Sequence, residues 1–284
     1  MPELPEVETV ARGLRAVLPG RRILSVRLGK TDFIDDPAAL EQQLPGARIN
    51  EVRRHGKFLV LELESSNGRA RSFALLIHLG MTGQIVTCQP EARVAPHTHV
   101  FLALDDGREL RYTDIRRFGR IAILSESAQE DALSSLGLDP LEATPAQLIA
   151  KLHARRARIK ALLLDQHVLR GMGNIYTDES LWRAQIHPMR LGANLTPGEL
   201  RRLYRAVRGV LTEAISLRGS SISDYVDSEG QPGEFQRRHR VYQREGKRCF
   251  RCGASIRRAI VAGRSSYFCP RCQPAPRPRR RRSR

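Results

Sequence analysis

The stretch Met1-Pro2-Glu3-Leu4-Pro5-Glu6-Val7-Glu8-Thr9-Val10 holds the first residues able to do chemistry. An initiator Met before a small residue is normally removed, which makes Pro2 the mature N-terminus and a secondary amine. An α-amine titrates near ~8, well below the ~10.4 of a lysine, so much of it is an unprotonated nucleophile at neutral pH. Such an amine attacks an aldehyde-like carbon and forms an iminium. Glu3 adjoins it and Glu6 follows three residues on, so two carboxylates stand ready for acid–base work. The same string is also an ordinary helix start, with proline at the first position and acids in the first turn.

Cys249-x-x-Cys252 and Cys269-x-x-Cys272 make two knuckles separated by a loop, the spacing of a four-thiolate zinc site. Four soft ligands close the tetrahedron, so such a metal is structural and folds a segment too short for its own core. Cys88 reads as an ordinary thiol. Between the knuckles, Ile256, Ile260-Val261 and residues 265–268 flank an Ala262-Gly263 turn. That is a β-hairpin with Arg264 at its tip, and with Arg257 and Arg258 it suits a DNA groove or phosphates.

Gly171-Met172-Gly173-Asn174-Ile175-Tyr176 opens a helix. Asn174 is a good N-cap, and its amide with the loop N–H groups could equally grip a backbone phosphate. Arg155, Arg156, Arg158 and Lys160 precede it as a positive run. Ile77-His78-Leu79-Gly80-Met81-Thr82-Gly83 places Met81 in a glycine-flanked loop, and Tyr112–Gly119 places Arg116 and Phe118 before a turn glycine. Each apolar residue alone reads as core. Together with an arginine they are what fills the gap left by a flipped nucleotide. Lys57 opens a strand, and His97 and His99, two apart, are placed to share a strand face.

These residues need rigid elements to hold them. Val7, Val10, Ala11, Leu14, Val17 and Leu18 give one helix an apolar face, ending near Pro19-Gly20. Residues 23–28, 48–54, 58–63, 73–78, 99–104, 109–112 and 120–124 read as short strands between turn residues, an antiparallel β-sandwich. Alternation ceases around 126–143. Helical periodicity returns over 145–153, 159–165, 174–185 and 197–217. The fold class is therefore α+β and multidomain. It comprises an N-terminal β-sandwich with flanking helices over 1–130, a helical helix–two-turn–helix domain over 131–240, a four-Cys zinc-finger β-hairpin over 241–273, and a disordered basic tail over 274–284. The chain carries 48 Lys+Arg against 30 Asp+Glu, a formal charge of +18, which points to a polyanion and first to nucleic acid. No apolar run approaches the ~20 residues of a membrane span, and the acidic N-terminus is unlike a signal peptide. A cytosolic, reducing setting follows, in which cysteines bind metal before they form disulfides.

The N-terminal string, the Asn174 loop and the paired Cys knuckles, in this order, resemble the formamidopyrimidine-DNA glycosylase family over nearly the whole chain. The resemblance implies a monomeric bacterial repair enzyme, cytoplasmic and nucleoid-associated, that removes oxidised purines (8-oxoguanine and formamidopyrimidines) from double-stranded DNA and cleaves the resulting site by β- and δ-elimination, with one structural Zn2+ and no membrane partner. It implies Pro2 as nucleophile, Glu3 as proton donor or shuttle and Glu6 as its support. Lys57 would touch phosphate and assist β-elimination, and Arg264 δ-elimination. Met81, Arg116 and Phe118 would fill the void, with Arg116 facing the orphaned cytosine. His97, Arg155 and Asn174 would bind backbone. Residues 219–236, with Ser220 and Tyr225, resemble the family's loop over the flipped base. The sister family, endonuclease VIII, removes oxidised pyrimidines on the same scaffold; Leu4, where the sister has Gly, and the Met81/Arg116/Phe118 set favour the purine enzyme. A non-catalytic lesion-binding protein would not need a free Pro2. A zinc-ribbon factor for RNA would leave Pro2–Glu6, Met81 and Phe118 unexplained.

Overall fold

The computed structural model describes residues 2–65 and 72–276, so residues 277–284 of the basic tail lie outside the described residues. The chain divides into two compact units. The first comprises residues up to Ser135 together with Ala214–Gln236, and the second Leu136–Glu213 with the chain from Arg237 onward.

In the first unit α1 (Leu4–Val17) buries Leu4, Val7, Val10, Ala11 and Leu14. Burying each large side chain of this kind contributes roughly 1.5–3 kcal/mol. Pro5 lies in the first turn, where its missing N–H costs nothing. The helix stops before Pro19 and Gly20, the latter at φ +87°. The strands follow as β1 (Ile23–Leu28), β2 (Arg48–His55), β3 (Phe58–Glu64), β4 (Ser72–His78), β5 (Gln84–Cys88), β6 (Thr98–Leu104), β7 (Glu109–Thr113) and β8 (Arg120–Ser125). They form two antiparallel four-stranded sheets, ordered β1-β6-β7-β5 and β2-β3-β4-β8. Alternate residues point inward: Leu59, Leu61 and Leu63 of β3 and Phe73, Leu75 and Ile77 of β4 meet Val100, Leu102 and Leu104 of β6 and Leu110 and Tyr112 of β7 in one core with α1. This is the β-sandwich expected from the alternation.

Three elements went unread in the sequence. They are β5, the short helix α2 (Pro37–Gln43), whose Asp36 cap accepts from Ala39 N at 2.9 Å, and α3 (Glu126–Ser134), capped by Ser125. Two local expectations also change. Lys57 lies in the β2–β3 turn rather than opening a strand, and His97 precedes β6 in a left-handed conformation (φ 64°), so it shares no strand face with His99.

The second unit carries α4 (Pro145–His153), α5 (Ile159–Leu164), α6 (Asn174–Ala184) and most of α7 (Pro197–Ser216). Thr144 and Gln147 close a reciprocal capping box at the start of α4. β9 (Arg257–Val261) and β10 (Arg264–Phe268) pair as an antiparallel hairpin. No helix among the described residues is long and apolar enough to cross a membrane.

Candidate active site and nucleic-acid interface

Pro2 is buried and leads directly into α1. Glu3 is the N-cap. Its side chain accepts from the third helical N–H, and Glu6 Oε2 accepts from Glu3 N at 2.8 Å, so the two carboxylates lock each other's place. Both are almost fully buried. The other Glu6 oxygen accepts from Ser220 N at 2.7 Å. A carboxylate bound by N–H groups from two segments cannot rotate freely, so the acids beside Pro2 are held in fixed positions.

The 219–236 stretch belongs to this unit and is tied down at several points. Tyr225 OH donates to Glu6 O at 3.2 Å, and Tyr225 packs in the sandwich core. Ser221 Oγ donates to Tyr225 O at 2.6 Å and accepts from Gly233 N at 2.9 Å. Gln84 Nε2 donates to Asp224 O. Tyr225 and Ser220 are thus buried anchors at the base of the loop, not side chains presented to solvent. Burial pushes the Tyr225 hydroxyl far above its usual range, with Glu6 adding to the effect, so it stays a neutral donor. Gly219, at φ +77°, abuts Glu6: a Cβ there would lie 2.6 Å from Oε1.

Glu8 connects α1 to the Lys57 turn. It accepts from Arg12 Nε at 2.8 Å and from the buried Arg54 Nε at 2.9 Å, and Arg54 NH1 also donates to Gly56 O at 3.3 Å. Burial, and then the charge of Lys57, hold the His78 imidazole below its ordinary value. His78 Nδ1 accepts from Gly80 N at 3.1 Å, which fixes the start of the Met81 loop. Gly80, at φ +59°, lies against the Phe118–Gly119 backbone so closely that no Cβ fits. The Met81 and Phe118 loops therefore sit side by side. Met81 is 40% exposed and Phe118 55%, and the Arg116 guanidinium stacks 4.4 Å over the Phe118 ring. Beneath them Asp114, with 0% exposure, accepts from Thr82 Oγ1 at 2.5 Å, Arg116 N at 3.2 Å, Gly119 N at 2.8 Å and Tyr112 OH at 3.2 Å. His97 O accepts from Asp114 N at 3.0 Å.

In the second unit the N-cap of α6 is Gly173, and Asn174 is the first helical residue. The Asn174 side chain reaches the hairpin instead of capping: Nδ2 donates to Ser265 O at 3.0 Å, next to Arg264 at the start of β10. The fully buried Lys160 Nζ donates to the same carbonyl at 2.8 Å and to Asp178 Oδ1 at 2.7 Å, while Asp178 Oδ2 accepts from Tyr267 N at 2.9 Å. Lys160, expected as part of a solvated positive run, is an internal clamp between α5, α6 and the hairpin. Arg155 pairs with Asp165 at 3.3 Å on the surface. Glu179, buried, accepts from the N–H groups of Arg240, Val241 and Tyr242 and so fixes the approach to the finger.

The four cysteine sulfurs of Cys249, Cys252, Cys269 and Cys272 lie within 4.8 Å of one another and form no disulfide. Tetrahedral thiolates around zinc at ~2.3 Å require sulfur separations of this size. Trp182 Nε1 and Arg251 N each donate to Cys249 Sγ at 3.5 Å, and Cys272 N donates to Cys269 Sγ at 3.4 Å. Burial alone would raise the Cys249 thiol, yet the N–H groups of Trp182, Arg251 and Cys252 bring it down to about 6, whereas burial and the neighbouring thiols push Cys269 and Cys272 up, so it is a bound cation's own charge that would ionise the whole set. The finger holds one structural zinc through these four residues.

Sequence reasoning missed Glu8, Arg54, Asp114, Asp178 and Glu179. Glu8, Arg54, Asp178 and Glu179 each bind a partner distant in sequence, and Asp114, although three of its four donors lie within five residues, joins them to Thr82 on another loop, so no motif marks any of the five.

Comparison with known proteins adds three family matches in chain order. Residues 1–121 match the formamidopyrimidine-DNA glycosylase N-terminal domain, 136–226 its H2TH domain, and 246–275 the zinc finger found in FPG and IleRS. The chain is 45% identical over 279 residues to a formamidopyrimidine-DNA glycosylase of Pelotomaculum thermopropionicum, covering 96% of this chain and 99% of the relative. A Chloroflexus aurantiacus protein of the same name is also 45% identical over 279 residues, covering 96% and 98%. Among solved structures, the Lactococcus lactis Fpg bound to DNA containing an abasic site superposes with a TM-score of 0.87 at 32% identity, covering 96% of this chain and all of that one. A mutant of the same protein bound to Fapy-dG-containing DNA gives 0.87 at 33% identity with the same coverage.

Proposed function

The chain belongs to the formamidopyrimidine-DNA glycosylase family, and on that premise we propose a division of labour among its residues for excising an oxidised purine and opening the strand. It is a base-excision-repair DNA glycosylase for oxidised purines. Strand cleavage at the abasic site, cytoplasmic action on chromosomal DNA and each residue role below are our reading.

Pro2, as the mature N-terminus, attacks the anomeric carbon of the flipped nucleotide. The N-glycosidic bond breaks and the base leaves with its electron pair and a proton; the nitrogen loses its own proton, the sugar C1′–O4′ bond then opens with Glu3 protonating O4′, and the nitrogen lone pair forms the iminium. The iminium acidifies the neighbouring sugar proton. Loss of that proton expels the 3′ phosphate (β-elimination), and a second elimination expels the 5′ phosphate. Glu3 moves the protons, and Glu6 fixes Glu3 by accepting a hydrogen bond from the Glu3 N–H on its carboxylate. Lys57 assists the first elimination and Arg264 the second. His97, Arg155 and Asn174 hold backbone phosphates, while Met81, Arg116 and Phe118 fill the void and Arg116 faces the orphaned base. Ser220 and Tyr225 anchor the loop over the flipped base. Zinc takes no part in the reaction and holds the hairpin that carries Arg264.

The observation that carries this reading is the reciprocal Glu3–Glu6 box behind a buried Pro2, with the second Glu6 oxygen held by Ser220 N. Nothing in helix capping alone calls for the second oxygen to be held by a segment more than two hundred residues away. The test is borohydride trapping on a duplex with one 8-oxoguanine opposite cytosine, using the natural protein, Pro2→Gly and an N-terminally extended form. The expected result is a covalent adduct with the natural protein alone. Lesion binding without an adduct would make this a binding protein. An adduct seen only with an oxidised pyrimidine would reassign it to the sister specificity; one L. lactis Fpg structure holds an oxidised-pyrimidine-containing DNA.

A further inference from the structure

Resting on the reading of Met81, Arg116 and Phe118 as the void-filling group, we propose that Asp114 is the positioning residue for lesion discrimination: its buried carboxylate sets both wedge-bearing loops in one geometry without itself touching DNA. The carboxylate binds four donors. Oδ1 takes Thr82 Oγ1 at 2.5 Å and Arg116 N at 3.2 Å, and Oδ2 takes Gly119 N at 2.8 Å and Tyr112 OH at 3.2 Å. Thr82 follows Met81 in the chain. Arg116 N and Gly119 N bracket Phe118. One side chain therefore fixes the chain on either side of the arginine–phenylalanine stack and the residue next to the methionine.

Stability alone is a poor reason for this arrangement. Asp114 is wholly buried, and among the described residues its carboxylate is met by neutral hydrogen-bond donors rather than by a lysine or arginine. A carboxylate in that setting costs desolvation that four hydrogen bonds at best offset. A fully satisfied polar network instead supplies a unique conformation. That is what two exposed apolar side chains need if they are to enter a base stack. Held in place beforehand, they spend little ordering free energy when the nucleotide leaves. Left loose, they must be ordered during extrusion, a step that already costs a few kcal/mol of unstacking.

Asn is the informative replacement. It keeps the shape but turns one acceptor into an N–H2 donor. Thr82 and Tyr112 can reverse their hydroxyls to suit it. The backbone N–H groups of Gly119 and Arg116 cannot, so in one amide orientation Gly119 N loses its acceptor and in the other Arg116 N keeps only Thr82 Oγ1. Thr82→Val is a second, independent perturbation, removing one donor from Oδ1 and the hydroxyl that Arg116 N also contacts at 3.2 Å.

The experiment compares single-turnover rates on two substrates. The first is 8-oxoguanine paired with cytosine, where the base must be extruded and a void filled. The second is a preformed abasic site in single-stranded DNA, where no void exists. Asp114→Asn and Thr82→Val should each slow the first about 10-fold and leave the second within about twofold, the scale of one lost buried hydrogen bond. Selectivity for cytosine opposite the lesion should fall in parallel, because Arg116 loses its fixed backbone. Phe118→Ala is the reference: it should show the same split. If it does not, the void-filling reading fails. If Phe118→Ala splits the substrates and the Asp114 and Thr82 variants slow both equally or neither, the Asp114 proposal alone is overturned. Should Asp114→Asn not fold, Thr82→Val decides.

Discussion

Replacing Lys160 by methionine should cost the second unit roughly 3 kcal/mol, the scale seen when one partner of a buried ion pair is removed. Lys160 is 0% exposed and the Asp178 side chain 1%. Methionine fills much of the lysine's volume but strands a carboxylate whose remaining donor is Tyr267 N at 2.9 Å. Burial already pushes this carboxyl up, and Lys160 supplies the largest opposing pull. The stranded group can escape by taking a proton. With an ordinary value of 3.8 in the unfolded chain, that escape at pH 7 costs about 4 kcal/mol at ~1.36 kcal/mol per pH unit, which sets a ceiling. Asp178→Asn alone strands the ammonium instead. The double variant strands neither charge and should lose clearly less than the two single losses added together. The assay is built into the chain, because its one tryptophan, Trp182, lies in α6 with Nε1 3.5 Å from Cys249 Sγ. Urea unfolding followed by its fluorescence, with zinc in excess, reports the unit that holds the clamp. A loss below about 1 kcal/mol for Lys160→Met, or strict additivity in the double variant, would refute the reasoning.

Three further outcomes follow from the same geometry. Cys269→Ser should release zinc, shift Trp182 fluorescence and abolish tight DNA binding while the β-sandwich stays folded; tight binding by metal-free protein would sink the structural-zinc assignment. Gly219→Ala should lower stability by about 1–2 kcal/mol for its left-handed backbone and slow base excision, because its Cβ would displace Glu6 and break the 2.7 Å bond from Ser220 N. Melting and excision both unchanged would contradict this. Burial, with Arg244 adding to it, holds the His239 imidazole down to about 4 against an ordinary 6.5. The folded state then favours the neutral ring, so the stability it confers is present above pH 6.5 and is lost as pH falls through 6.5 toward 4, by at most ~1.4 kcal/mol per pH unit. His239→Asn should flatten the fall in urea midpoint between pH 7.5 and pH 5; parallel curves for both proteins would contradict the assignment.

What the sequence made legible, and what it hid, follows from the range of the interactions involved. The α1 face from Val7 to Leu14 and the inward residues of β3, β4 and β6 are read from local periodicity, because one buried side imposes a repeat on the chain. The zinc knuckles are legible because their ligand spacing is local. α3 was missed although Ser125 is a good cap, since its polar composition gives little periodicity. Asn174 shows the other limit. Its type suits a cap, but the nearby Ser265 carbonyl, 91 positions away in sequence, takes its amide and leaves the cap to Gly173. Tyr225 likewise reads as a loop residue until Glu6 O and the sandwich core claim it. The residues nearest to chemistry were therefore visible as types in the sequence. The groups that hold them still (Arg54, Asp114, Lys160, Asp178, Glu179 and the Ser220 N–H) were not, because each has at least one decisive partner from another segment, Thr82 in the case of Asp114. Substitutions at these holding groups, more than at the motif residues, separate a site that is merely present from one that is correctly spaced.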